Sequence, residues 1–294
     1  MDKVLGDKKA IAIFVLPAFF IYVAIVIIPL FVSAYYSTFQ WDGIGEKIAI
    51  GLDNYKTLFF EDRYFIKSIG NSFTLTLLTL LIQLPMAIIL ALILANGIKG
   101  EAVFRTILFI PVMLSAVVIG HLFRRIYEPN FGLINIFLQN IGLDNLARPW
   151  LGDMKTALYA ASAPIIWQWI GYHMLLLYAA AKSVPQDLRE AAKLDGANSI
   201  QSSFKIVLPL MTPVIRICVI MLVIGSLREF DMIYTMTGGG PAHASEMPST
   251  MMISTLFSRY QYGFGSSMAV FIVIECLLLT MIIQKVFKTT DVTY

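Results

Sequence analysis

Charge is scarce in this chain. Asp, Glu, Lys and Arg make up 14% of its 294 residues, against roughly 25% in soluble domains. Cysteine is scarcer: Cys218 and Cys276 are the only two, each lies in an apolar run, and they have no C-x-x-C spacing. That excludes a disulfide framework and a cysteine-built metal site, and leaves both as packing residues. H-E-x-x-H, G-x-S-x-G and a carboxylate pair set beside a base are all missing, so no catalytic or metal-ligating residue is assigned. Gly238-Gly239-Gly240-Pro241 is not a phosphate loop, because no Lys-Ser/Thr follows at the required distance. No nucleotide site is visible, and no cofactor is expected on this chain. The net charge of +3 gives no reason to expect nucleic acid. Internal repeats and low-complexity stretches are missing as well.

Apolar sequence fills the space. Hydrophobic residues are 58% of the chain and mean hydropathy is +0.75. Such a chain cannot hydrate its own surface, and in lipid every backbone polar group must be satisfied within the segment. The expected fold is all-α: a polytopic helical membrane protein of six transmembrane helices, at about 10–36, 70–96, 104–126, 156–181, 212–236 and 264–286. The uncharged run 10–41 outlasts a signal-peptide core and shows no clear cleavage site, so it reads as a retained helix. Pro17 and Pro29 should bend it. A small amphipathic helix is expected at about 131–140.

Six spans place both termini on one side. The segments on that side, counting head, second loop, the polar stretch 184–210 and tail together with the flanking Lys182 and Lys285, hold eleven Lys and Arg; the opposite loops hold nine. The difference is small, but the first set is carried on much shorter segments, where the positive-inside rule operates. Both termini and 184–210 are therefore expected in the cytoplasm of a multi-pass protein. The organisation reads as 1–66, an N-terminal helix with an external loop; 67–287, a five-helix core; and 288–294, a tail.

Polar residues inside the spans are costly at about 2.5–3.5 kcal/mol per charge at mid-bilayer. Arg216 sits one turn into the fifth span and can snorkel. Arg228 and Asp231, three apart, should pair on one helix face; Glu229 points elsewhere, and Glu275 stands alone in the sixth span. The fourth span carries Gln168, Trp169, Tyr172 and His173 on one broad face, beside Trp167. Aromatic rings beside hydrogen-bonding groups suit a sugar, which shows apolar ring faces and hydroxyl rims. Two readings stand for all these residues: lining of a translocation pathway, or packing, ion pairing and an interfacial aromatic belt.

The stretch Val184–Leu210 is a polar island of about one helical hairpin. Pro185 suits a first helical turn, Leu188, Ala191, Ala192 and Asp195 share one side, and Arg189, Glu190 and Lys193 share the other. Gly196 is the natural stop, and Asn198 or Ser199 can cap a second helix. Glu190-Ala191-Ala192, then Gly196, Ile206 and Leu208-Pro209 resemble the EAA motif of the membrane subunits of binding-protein-dependent ATP-binding-cassette (ABC) importers. Phe131–Asn135 (FGLIN), Trp150-Leu151 and Phe230–Pro241 (FDMIYTMTGGGP) resemble the maltose- and glycerol-phosphate-type sugar permeases, and the likeness covers about four-fifths of the chain.

The resemblance implies the type I ABC importer permease fold. It implies a coupling helix, with Leu188, Ala191 and Ala192 as contacts buried in an ATPase, Asp195 beside them on the same side, Glu190 holding a basic partner, and Gly196 setting the angle. It implies a second permease subunit, homologous but distinct, two ATP-binding subunits that carry ATP and Mg, an extracytoplasmic solute-binding protein, and a bacterial cell membrane. The implied function is carbohydrate import, with an oligosaccharide preferred and glycerol phosphate, a monosaccharide or a polyol left open. An ion-driven secondary carrier is the alternative, although such a carrier has no need of an ATPase-docking hairpin.

Overall fold

Prolines follow widened turns at three places in these helices. A computed structural model describes residues 8–287; the expected tail at 288–294 lies outside the described residues. Val23–Ile27, Thr79–Gln83 and Ser203–Val207 are π-turns, and each runs into a helix with proline at its start: Pro29, Pro85 and Pro209. Proline lacks an N–H and its ring clashes with the carbonyl four residues back. Shifting the ladder by one residue absorbs that clash.

Among the described residues, three helices are long and apolar enough to cross a bilayer, Ile13–Tyr36, Arg63–Ala95 and Tyr262–Val286, and two bent pairs raise the number to five. The remaining expected span, Ala157–Ser183, is 27 residues long but falls outside that set. At 1.5 Å per residue it measures about 40 Å, ample for a crossing. Gln168 and His173 dilute its hydropathy, and both are buried.

The third and fifth spans are broken rather than straight. Glu101–Met113 meets Ala116–Ile126 at 94°, and Ser199–Leu210 meets Thr212–Met236 at 71°. In the third span Pro111 opens a 3₁₀ turn, Ile110–Met113, and Leu114 and Ser115 then leave helical geometry. In the fifth span the helix Thr212–Leu227 stops at Arg228, and a short helix restarts at Asp231–Met236. Periodicity alone did not disclose either break.

The chain divides into two compact units. Of the described residues, one comprises 8–63 with 252–273. Its first helix buries nothing along its apolar window, so its side chains are left for lipid. A two-residue antiparallel ladder then pairs Phe39 with Ala49 and Gln40 with Ile48, a feature not expected from the sequence. Gly263 meets this element closely: a Cβ there would lie 1.9 Å from the Phe39 carbonyl oxygen.

The other unit comprises 64–251 with 274–287. Its second span shows inverted amphipathicity. Ser68, Ser72, Thr76, Thr79 and Gln83 are buried while Phe73, Leu77 and Leu81 are exposed, as expected where the surrounding solvent is hydrocarbon. The Leu84–Ala95 part of this span packs along Ala157–Ser183, and Gly171 of the latter lets the third span approach. At Gly171 a Cβ would lie 2.0 Å from the Leu108 carbonyl oxygen.

The small expected helix is present as Leu133–Asn140. Its Asn135 is buried and organises the loop. The amide donates to the carbonyls of Pro129 (2.9 Å) and Arg148 (3.0 Å), and its oxygen accepts the Trp150 indole N–H at 2.8 Å. The FGLIN and Trp-Leu segments are therefore two halves of one contact.

Candidate functional site

A cavity of about 620 Å³ opens where the second, fourth and fifth spans approach one another in the larger unit. The break in the fifth span shapes it. Because the helix ends at Leu227, Arg228, Glu229, Phe230 and Asp231 are spread along the wall instead of stacked on a helix. Trp169, Tyr172 and His173 supply the facing wall, and Thr79, Gln83 and Ser226 add hydroxyl and amide groups. The Thr79 and Ser226 hydroxyls lie 3.0 Å apart. His173 Nδ1 is 3.0 Å from the Trp169 carbonyl and 3.0 Å from the Gln83 amide nitrogen, while its Nε2 is buried with no protein partner.

Three sequence expectations need correction. Arg228 and Asp231 form no ion pair among the described residues; the helix ends between them, so the i,i+3 geometry never arises. Gln168 does not line the cavity. Its amide donates to the Leu114 carbonyl at 3.0 Å, which is the acceptor freed by the break in the third span. A carbonyl in hydrocarbon without a donor costs several kcal/mol, roughly, so Gln168 is a structural repair. Glu275 also lies apart from the lining; it is buried, and both carboxylate oxygens lack a hydrogen-bond partner. Arg216 reaches the Phe287 carbonyl at 3.3 Å.

Thr79, Gln83 and Ser226 were not singled out from the sequence. The available signal was the polar stripe at i, i+4, i+7 spacing inside an uncharged run, which marks an inward face when the exterior is lipid.

The polar island forms the helix Gln186–Leu194. Arg189 ties its base by donating to the Ala181 carbonyl at 2.5 Å. Gly196 has φ +81°, the Gly196 N–H donates to Lys193 and the Ala197 N–H to Ala192, the paired bonds of a Schellman stop. Asn198 and Gln201 close a reciprocal capping box at the next helix. Of the expected contacts, Leu188 and Ala191 are exposed while Ala192 is buried in its own chain, and Leu194, 89% exposed, adds to the free surface. Ile200 and Phe204 continue this apolar surface.

The Gly-rich loop is held by Glu246, which is buried. Its carboxylate accepts the Thr250 hydroxyl at 2.6 Å and lies 2.9 Å from His243 Nδ1. Asn71 donates to the Ala244 and Glu246 carbonyls at 3.1 and 2.9 Å. The backbone crowds this carboxylate: a Cβ on Gly239 would lie 2.4 Å from Glu246 Oε2.

These features define a polytopic helical membrane protein with a polar interior cavity and a hairpin that projects from its helices. A family sequence model described as the inner membrane component of binding-protein-dependent transport systems matches residues 83–289. The chain belongs to that family. It is 38% identical to the probable ABC transporter permease protein YurN of Bacillus subtilis, over 94% of this chain and 95% of that one. It is 30% identical to the multiple sugar-binding transport system permease protein MsmF of Streptococcus mutans, over 90% of each. Among solved structures, a bacterial alginate ABC transporter in complex with alginate pentasaccharide-bound periplasmic protein contains a chain that matches with a TM-score of 0.83. That match has 23% identity and covers 96% of both chains; it speaks to the fold alone. Family membership removes the ion-driven carrier.

Proposed function

We propose that this chain is the membrane-spanning permease subunit of an ATP-driven importer, and that its cargo is a carbohydrate, an oligosaccharide in preference, delivered by an extracytoplasmic binding protein. The observation that carries the reading is the helix Gln186–Leu194. It is anchored by Arg189, turned by Gly196, and leaves Ala191, Leu194 and Ile200 uncovered. An apolar surface on a projecting hairpin needs a partner. In this reading the partner is one of two ATP-binding subunits, which hold ATP and Mg, and the hairpin faces the cytoplasm with both termini. A second permease subunit completes the pathway.

ATP-driven closure of the ATPase pair moves the hairpin, and the helices that follow it change the cavity's access from outside to inside. The coupling is a free energy shared between two sites, so cavity occupancy and ATP state bias each other equally. Trp169, Tyr172 and Phe230 offer ring faces, and Gln83, Arg228, Glu229 and Asp231 offer hydroxyl partners. One guanidinium stands against two carboxylates, so no cationic surplus favours an anion such as glycerol phosphate.

The test is purification of the tagged complex from its own host, followed by ATPase assay in proteoliposomes with the cognate binding protein loaded with candidate oligosaccharides. Co-purification of an ATPase stimulated by a sugar-loaded binding protein is expected. A complex with no ATPase, or one stimulated only by a non-carbohydrate solute, overturns the respective half of the proposal.

A further inference from the structure

A second cavity, of about 550 Å³, lies in the smaller unit, where the loop after the first span meets the residues that lead into the sixth. Both segments were expected on the side opposite the coupling hairpin. Its polar groups fall into two sets. One set is spent on building the walls. Asn54 donates to the Ser37 and Phe39 carbonyls at 2.8 and 3.0 Å, and Asp42 accepts the N–H groups of Ile44 and Gly45 at 3.1 and 3.0 Å. The Trp41 indole N–H donates to the Gly45 carbonyl at 3.2 Å. The other set lines the cavity with no hydrogen bond from its side chains among the described residues: Gln40, Glu46 and Gln261.

Rings stand beside these free groups. Trp41, Tyr260 and Phe264 all line the cavity, and Tyr260 is 61% exposed. Tyr260 also holds φ +56°, a left-handed conformation that costs a non-glycine residue roughly 1–2 kcal/mol. The turn that enforces it is closed by Arg259 N–H to Ser254 and Gln261 N–H to Thr255, at 3.1 and 3.0 Å. An exposed aromatic ring kept there against a conformational penalty, among unspent amide and carboxylate groups, has the chemistry that recognises a pyranose: a ring face to stack on, and acceptors and donors for its hydroxyl rim. Among the described residues, no Lys or Arg lines this cavity to favour an anion.

We propose that this cavity is a second saccharide-binding site, taking one neutral sugar unit. It rests on the carbohydrate reading above. Trp41 sits in this cavity and Trp169 in the interior one, so the two sites report separately.

The experiment uses the intact complex in nanodiscs, titrated with maltotriose and followed by tryptophan fluorescence. In Trp169→Phe protein a saturable change from Trp41 is expected, and it should vanish when Trp41→Phe is added. Gln261→Ala and Glu46→Ala, both at exposed positions, should each weaken the Trp41 response about tenfold and leave the Trp169 response in Trp41→Phe protein unchanged. If Trp169 responds to maltotriose and Trp41 does not, the second site is refuted while the carbohydrate reading stands. If neither responds, both fall. If only sugar-free binding protein alters Trp41, the cavity is a protein contact and the inference is overturned.

Discussion

Gly196 offers the sharpest test of the coupling hairpin, because the structure separates two costs that usually come together. Nothing lies within 4 Å of a Cβ built on it, so a larger side chain meets open space in this chain. The backbone is another matter: φ is +81°, and a non-glycine residue there loses roughly 1–2 kcal/mol. At 1.4 kcal/mol per tenfold, Gly196→Ala should reduce the share of molecules with the correct turn by about 5- to 30-fold relative to competing turns. Gly196→Val should lose more, since its branched Cβ is stiffer. Gly196→Asn should lose least, because asparagine visits the left-handed region readily. The assay is reconstituted transport: solute moved per ATP hydrolysed, with insertion checked by protease protection. Val is expected to lower that ratio several-fold while insertion is normal, and Asn to retain most of it. Normal coupling in Val would remove the hairpin from the mechanism. Equal failure of Val and Asn would refute the dihedral argument and point to a side-chain clash with the partner.

Three further outcomes follow from the geometry. Gly171→Ala sets a Cβ 2.0 Å from the Leu108 carbonyl oxygen, where only backbone can give way. It should cost about 1–3 kcal/mol or more and lower the melting temperature in detergent, whereas Gly225→Ala, which meets nothing within 4 Å, should not. Glu246→Ala strips an acceptor from the buried Thr250 and from the half-buried His243; residues 238–247 should exchange amide hydrogens markedly faster, and unchanged protection would contradict its anchoring role. The Asp42 carboxyl is held below the usual carboxylate range, first by the Gly45 N–H and then by that of Ile44. Its turn is thus fully supported above about pH 4 and loses that support as pH falls through the lowered value. Trp41, bonded to the same Gly45, should report the opening by fluorescence on acidification, and Asp42→Asn should remove the transition.

The helical membrane character was set by composition and run length, quantities that require no knowledge of neighbours. A chain with 14% charge and long apolar runs has one way to satisfy its backbone in lipid. The hairpin stop at Gly196 and the cap at Asn198 were local as well, since each depends on bonds within five residues. The family likeness was likewise carried by short segments, two of which meet through Asn135 and Trp150.

What needed the tertiary structure was the direction each polar group faces. Arg228 and Asp231 are three apart in sequence, but the helix ends between them, so their pairing was lost and a cavity wall gained. Gln168 and Trp169 are neighbours, yet one mends a broken span and the other faces the cavity. Ala192 and Ala191 divide in the same way between the chain's own core and its free surface. A side chain's direction depends on where helices break and which backbone groups those breaks leave unpaired, and that is decided by contacts between segments far apart in sequence.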